Sequence, residues 1–518
     1  MSNSKPSPFN LAASFNTRDD SDTDPVTEKQ TDRLNIAILG NFSHSTGKPD
    51  HIDLDQRSFI EVDRFNFDEV FASMALQLSV TLEDNEESKV NASFDSIKDF
   101  HPDSLYKKLS VFNQLRDLRD RLNNPETFKQ ALSELGLPVE IVGTSKSETE
   151  TVTDPQPPSA DISNPKVDSG ASLLDSILDE TEMRSGQNEQ PDNNREKSLI
   201  NAFVKQVLTG RKVTSRDARQ NEMVASIDEA ITEQMRRLLH HPEFQALESI
   251  WRSVQFLVKR IRNGKGIKFY LLDVTYDELV ADLAQDDLTQ SRLYSHFCDQ
   301  ALGEIQWDLI LGNFHFGPDI DDILTLSQIG SIAKTCGAQF HSAANEQLIG
   351  CPSFTEAPNV NQWNVELHSS IEEGWQMIRK SPVAKSISLS LPQFLLRTPY
   401  GSQSIPVKTF SFEEMPLLPP HNDYLWGNSA FIKVEQIARA FLKKSSKLPL
   451  GEVMKTDDLP IHYYQSGGQT RVKPCAEIAL TDTGAAKMLA QGLIPLWSVK
   501  NADKIHSGDF HSIVADPD

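Results

Sequence analysis

Cysteine is scarce, with four in 518 residues. Cys298, Cys336, Cys351 and Cys475 lie scattered with no C-x-x-C pair, a pattern that argues against a disulfide scaffold or thiolate metal cage and for reduced thiols. Long apolar runs are missing as well. No stretch reaches the roughly 18 residues of a membrane span, and the opening MSNSKPSPFNLAASFNTRDDSD holds no signal-peptide block. A cytoplasmic protein with no membrane insertion is expected. Positive charge is in deficit: 51 Lys and Arg against 74 Asp and Glu leave a net charge of −23. A field of that sign repels nucleic acid and anionic lipid and favours solubility and basic partners. What is present is enough apolar material (38%) to fill real cores, in a chain long enough for two or more.

Residues 1–32 have the polar, acidic composition of a flexible arm. Within it Phe9, Leu11, Ala13 and Phe15 alternate with polar or small residues at a period of two, either a strand seeking a foreign sheet edge or a chance alternation in a tail. A compact unit follows over 33–142. LNIAIL (34–39), stopped by Gly40, reads as a buried strand; 57–63 and 90–94 read as further strands, and 63–79 as a helix. Leu105, Leu109, Phe112, Leu115, Leu118 and Leu122 mark one amphipathic helix after Pro102. Residues 143–197 carry five prolines and five bases against twelve acids, the composition of a solvated linker with a coil length on the order of 40 Å. Inside it, Ser172 can cap a short helix over 172–183 whose Leu173, Leu174, Ile177 and Leu178 share one face. Two or three turns are not stable alone, so this island either docks on its own protein or presents itself to a partner's groove.

A larger unit spans 198–518. Helical patterns cover Leu199–Leu208 and Ile227–Ile261, the second broken by Pro242. Strands are expected at 267–274, 307–316, 338–344, 386–391, 476–480 and 493–499, with helices near 319–336 and 428–442. The strand–helix–strand order implies a parallel βαβ layer.

Tests for chemistry fail one by one. Gly40-Asn-Phe-Ser-His-Ser-Thr-Gly-Lys48 follows a strand as a phosphate loop does, but its glycines are six residues apart rather than four and Pro49 replaces the magnesium-binding hydroxyl. His240 and His241 are adjacent, about 100° apart on a helix, not at the i, i+4 spacing of a zinc pair. No G-x-S-x-G elbow, Cys/His signature or carboxylate dyad stands out. No enzyme activity, cofactor or metal is expected.

LLHHPEFQALESIWRSVQFLV (238–258), LILGNFHF (309–316), LSLPQFLLRTPYG (389–401), YLWGNSAF (424–431) and CAEIALTD…GLIPL (475–496) resemble, in order and spacing, the large subunit of the type VI secretion contractile sheath (TssC-like, VipB-like). IAILGNFS (36–43), FIEVDRFNFDEVFA (59–72) and FHPDSLY with LRDLRDRL are similar to the small subunit (TssB-like, VipA-like). Gln393 stands where the large-subunit family usually has arginine, and Cys475-Ala476 where Pro-Thr is usual. The resemblance implies two sheath components fused head to tail. Their fold would be mixed α/β (α+β), a small sheath-subunit-like unit packed on a larger α/β sheath domain with exchanged terminal strands.

The function implied is a structural one: a helical polymer around an inner-tube protein, seated on a baseplate, that contracts to drive effector delivery. The alternative is an accessory protein that binds sheath or baseplate, or separate sheath subunits, without forming tubes. The strands to be exchanged between protomers would be Phe9, Leu11, Ala13 and Phe15 in the arm and Phe510 and Ile513 in the tail. Leu173, Leu174, Ile177 and Leu178 would be the helix read by an AAA+ sheath-recycling unfoldase.

Overall fold

The structure is a computed structural model that describes residues 33–44, 53–82, 89–134, 216–261, 266–298, 305–444, 454–508 and 510–515. The backbone divides into two compact units, one formed by residues 1–112 and 232–518, the other by 113–231. The fold is mixed α/β.

The first unit is built on nine strands: β1 (Leu34–Gly40), β2 (Ile60–Val62), β5 (Ile267–Asp273), β6 (Leu309–Phe316), β7 (Gln339–Ala344), β8 (Ile387–Leu391), β11 (Met454–Thr456), β14 (Ile494–Ser498) and β15 (Ile505–Ser507). Their order across the sheet is β11-β15-β14-β8-β7-β6-β1-β5-β2. The centre, from β14 to β5, is parallel; the outer strands β2, β15 and β11 run antiparallel to their neighbours. Strands β6 and β7 flank the helix Ile320–Cys336 in the expected βαβ order.

The continuous apolar run of β1 is what a strand covered on both faces requires, and every residue from Ile36 to Gly40 is buried. Its neighbours come from far along the chain: Leu34 to Gly40 pair with Ile267 to Asp273, and Ile36 to Leu39 with Leu309 to Gly312. The backbone divides after residue 112, inside the unit read over 33–142. Residues 33–112 have no separate main sheet, because β1 completes the one built by 267–507 and β2 closes its edge. Gly40 is required at the end of β1, since a Cβ there would lie 2.5 Å from Cδ1 of Ile250 on the helix Pro242–Arg260.

Two-stranded ladders supplement the sheet: β3 (Leu76–Thr81) with β4 (Lys89–Phe94), β9 (Phe394–Leu395) with β10 (Trp426–Gly427), and β12 (His462–Ser466) with β13 (Gln469–Lys473). Expectation and backbone differ at several places. The helix read over 63–79 is only Phe67–Ser73, and β3 follows at once with the alternating burial of a strand lying over the core. The stripe from Leu105 to Leu122 is not one helix. The helix Pro102–Lys108 ends in an extended Leu109, and Asn113–Asn123 starts anew after a short 3-10 turn. One apolar stripe thus serves two separately packed units. AEIAL (476–480) makes a single bridge, Phe394 to Ala476, rather than a strand.

SISLSL alternates as a half-exposed strand would, yet β8 is buried throughout. Its serines are satisfied inside: Ser388 Oγ donates to the His511 carbonyl at 2.9 Å and Ser390 Oγ bonds Ser429 Oγ at 2.9 Å. Paired hydroxyls remove the desolvation penalty that would otherwise keep that face in water.

In the second unit the helices Asn113–Asn123 and Phe128–Glu134 pack on each other, and Leu115, Leu118, Leu122, Phe128, Leu132, Met223, Ile227 and Ile231 are buried. Arg119 pairs with Asp228, and the Gln220 amide caps the helix end at the Leu122 and Asn123 carbonyls, at 2.8 and 2.9 Å. The helix Arg216–Leu239 begins in this unit and continues into the first.

Candidate functional site

The helix Pro242–Arg260 starts with His241, whose ring accepts the Glu243 N–H at 3.3 Å, and with proline in its first turn, where no N–H is needed. The histidine pair is thus a helix start, with His241 spent on capping. Along the buried face, Phe244 and Trp251 meet aromatics from residues 42–100. Trp251 lies 4.7 Å from Phe71, 5.7 Å from Phe42 and 5.9 Å from Phe67, and Phe244 lies 5.6 Å from Phe100. The Trp251 indole N–H donates to the Phe42 carbonyl at 3.0 Å. Asp103 adds a polar clamp by accepting both the Lys408 and Thr409 N–H groups at 3.0 Å. These are the fixings of the N-terminal segment onto the rest of its unit.

Beside that seam lies a buried charge cluster. Arg397, Glu248 and Glu414 have side chains 5% exposed or less. Arg397 forks onto both acids: Nε and Nη2 reach Glu248 at 3.0 and 3.3 Å, and Nη1 and Nη2 reach Glu414 at 2.7 and 3.0 Å. Arg252 gives Glu248 a second cation at 2.6 Å and donates to the Tyr400 hydroxyl at 3.0 Å. Glu414 also accepts the Tyr400 N–H at 2.6 Å, and His240 stands between Glu414 (3.5 Å) and Asp423 (3.4 Å). Burial opposes ionisation of Glu414, but the Arg397 charge and the hydrogen bonds outweigh it and hold its carboxyl down at about 2. Burial, reinforced by Glu248, pushes the Tyr400 phenol up to about 12. Arg397 and Glu414 are held in their ionised forms by one another, and the paired groups of the cluster fix geometry. Its members come from LLHHPEFQALESIWRSVQFLV, FLLRTPYG and the 410–426 segment, so motifs about 150 residues apart converge on one point.

The ladder β12–β13 is of another kind. Gly467 and Gly468 make its two-residue turn with φ of +58° and +73°, the conformation that matches strand twist and that glycine adopts freely. Its base is anchored: the Tyr424 hydroxyl bonds His462 Nδ1 at 2.8 Å, and Lys473 Nζ sits 2.9 Å from His421 Nδ1 and over the Tyr424 and Trp426 rings. Beyond the base it projects, with Tyr463, Gln465 and residues 467–471 exposed. Among the described residues neither β12 nor β13 has a second strand beside it. Sequence reading missed this ladder; the signal was Gly-Gly between two β-prone pentapeptides.

The candidate residues fall in two groups. Phe9, Leu11, Ala13, Phe15, Leu173, Leu174, Ile177 and Leu178 lie outside the described residues. Phe510 and Ile513 are buried within their own unit. The Ile513 N–H donates to the Ile387 carbonyl at 3.0 Å, its carbonyl accepts from Arg379 Nε at 2.9 Å, and the Lys433 ammonium lies 3.9 Å from the centre of the Phe510 ring. Of the departures from the family pattern, Gln393 donates its N–H to the Glu477 carboxylate at 3.2 Å and accepts the Glu477 N–H at 2.9 Å, and Cys475 is buried with its carbonyl accepting the Leu395 N–H at 2.7 Å. Among the described residues no group of three or more His, Cys, Asp or Glu is placed to hold a metal ion, and no helix is long and apolar enough to cross a membrane.

The chain belongs to the tail sheath family: the family described as EvpB/VC_A0108, tail sheath N-terminal domain, matches residues 221–512. A second family, described as type VI secretion system, VipA, VC_A0107 or Hcp2, matches residues 20–136. One chain therefore carries both a small-subunit and a large-subunit sheath region. The type VI secretion system sheath protein TssC1 of Pseudomonas aeruginosa is 27% identical over 318 residues, 59% of this chain and 64% of that protein. The chain thus spans less than two thirds of that relative's length.

Proposed function

We propose that this chain is the protomer of a contractile type VI sheath, supplying both subunit roles at once and polymerising helically around an inner-tube protein on a baseplate. The observation that carries the reading is the insertion of β1 between β5 and β6. The small-subunit region supplies a central strand of the large-subunit sheet, and carrying both regions on one chain fixes the ratio of the two roles at one to one. Contraction is then a change of packing between protomers, with energy stored at assembly.

Protomers are joined by strand exchange. The open edges of β12–β13 are the acceptor, because an unpaired ladder edge offers a ready row of donors and acceptors. The arm carrying Phe9, Leu11, Ala13 and Phe15 is the donor. The tail is the less favourable donor, since lending Phe510 and Ile513 to a neighbour first requires breaking their contacts with Ile387, Arg379 and Lys433. After contraction, the 172–183 segment offers Leu173, Leu174, Ile177 and Leu178 to an AAA+ unfoldase that recycles the sheath. Negative-stain microscopy of the purified chain, alone and with an inner-tube protein, tests the reading. Tubes are expected, and particles that remain single at every concentration would overturn it.

A further inference from the structure

Two of the four cysteines, far apart in sequence, come together in space. Cys298 ends the helix Arg292–Cys298 and Cys336 ends the helix Ile320–Cys336. Both sulfurs lie over the same helical turn: Cys298 Sγ is 3.8 Å from the Ile332 carbonyl oxygen and Cys336 Sγ 3.5 Å from that of Ala333. Each thiol bears on the other's ionisation, and both are partly exposed. We propose that Cys298 and Cys336 form an oxidant-responsive dithiol site, which hydroperoxides convert to a disulfide stapling the two helices together.

The chemistry balances. The Cys298 thiolate attacks one peroxide oxygen, the O–O bond breaks, and the departing oxygen leaves as water after taking a proton, giving a sulfenic acid. The Cys336 sulfur then attacks the Cys298 sulfur; the S–O bond breaks, the S–S bond forms, and a second water departs. Overall two thiols and one hydrogen peroxide become one disulfide and two waters. The neighbouring thiol assigns the roles. A hydrogen bond from Cys336 outweighs burial and draws the Cys298 thiol below its ordinary value, while Cys336 is pushed up by the same neighbour and by burial. Thiolate character and access are what make a cysteine the first to react. The other two thiols lack both: Cys351 and Cys475 are fully buried, and burial pushes them up to about 12 and about 11.

The staple would tie the end of the helix 292–298 to the helix that covers β6, β7 and β8. The test treats the full chain with hydrogen peroxide, then counts thiols in denaturant and maps cross-linked peptides by mass spectrometry. The expected result is a fall from four thiols to two, a single 298–336 cross-link within one chain, and a rise in the thermal midpoint that dithiothreitol reverses. Cys298→Ser should lose no thiol pair and gain no midpoint shift. Cys336→Ser should stop at a dimedone-reactive Cys298. Four thiols surviving in the native wild-type chain, or cross-links mapping to Cys351, Cys475 or between chains, would overturn the assignment whether or not either variant folds.

Discussion

The indole of Trp251 donates to the carbonyl of Phe42 at 3.0 Å, a hydrogen bond between residues 209 positions apart. The carbonyl belongs to the small-subunit region and the indole to the large-subunit motif, with the ring wrapped by Phe42, Phe67 and Phe71. This bond and the β1 insertion tie residues 34–42 to the sheet and to the helix Pro242–Arg260 of the same unit.

Trp251→Phe keeps most of the apolar surface but leaves the buried Phe42 carbonyl without this donor, so a loss of about 1–3 kcal/mol is expected. Trp251→Ala opens a cavity as well and should cost at least about 3–5 kcal/mol. Urea titrations followed by far-UV circular dichroism check both values.

Arg397 offers a sharper test. Arg397→Met leaves Glu414 buried without its cation, and Glu248 with Arg252 alone, and should destabilise by about 3–5 kcal/mol. Arg397→Lys should recover little, because a single ammonium cannot fork onto two carboxylates. The triple change Arg397→Met, Glu248→Gln, Glu414→Gln should be milder than Arg397→Met alone, measured in the same titrations.

Acid stability follows from the same cluster. The Glu414 carboxyl, ordinarily near 4.5, is held at about 2 when folded. A group whose folded value is depressed stabilises fully above its unfolded value, and that stability is lost as pH falls through the window between them. Stability should therefore decline from about pH 5 towards 2, by on the order of 3 kcal/mol from this group. Glu414→Gln should be less stable at pH 7 yet flatter across that window.

The main sheet was largely legible in the sequence. Continuous apolar runs such as LNIAIL and WDLILGNFHF can only be strands covered on both sides, and Pro242 announced a helix start. The insertion of β1 was not legible, because pairing between residues 34–40 and 267–273 depends on backbone partners that no local pattern encodes. For the same reason SISLSL imitated a surface strand, its serines being satisfied by His511 and Ser429 from distant segments. The motifs HPEFQALE and FLLRTPYG marked important residues without revealing that Glu248, Arg397 and Glu414 make one ion cluster. The exchangeable tail came from the family resemblance rather than from any local pattern; within their own unit Phe510 and Ile513 are buried, with Ile513 bonded to Ile387 of β8.

The hairpin turn separates folding from assembly. Replacing Gly467 and Gly468 with alanine forces side chains into a left-handed conformation at roughly 1–2 kcal/mol per residue, at a projecting tip remote from the core. Sedimentation and urea titration should together show a protomer of nearly unchanged global stability with weakened assembly.

The central claim is that protomers are held together by strands lent from one chain to the open edges of the next. Electron microscopy of the full chain beside the same chain lacking residues 1–16 measures this directly. Tubes are expected from the first and folded, unassembled protomers from the second. Ordinary tubes from the shortened chain would contradict it.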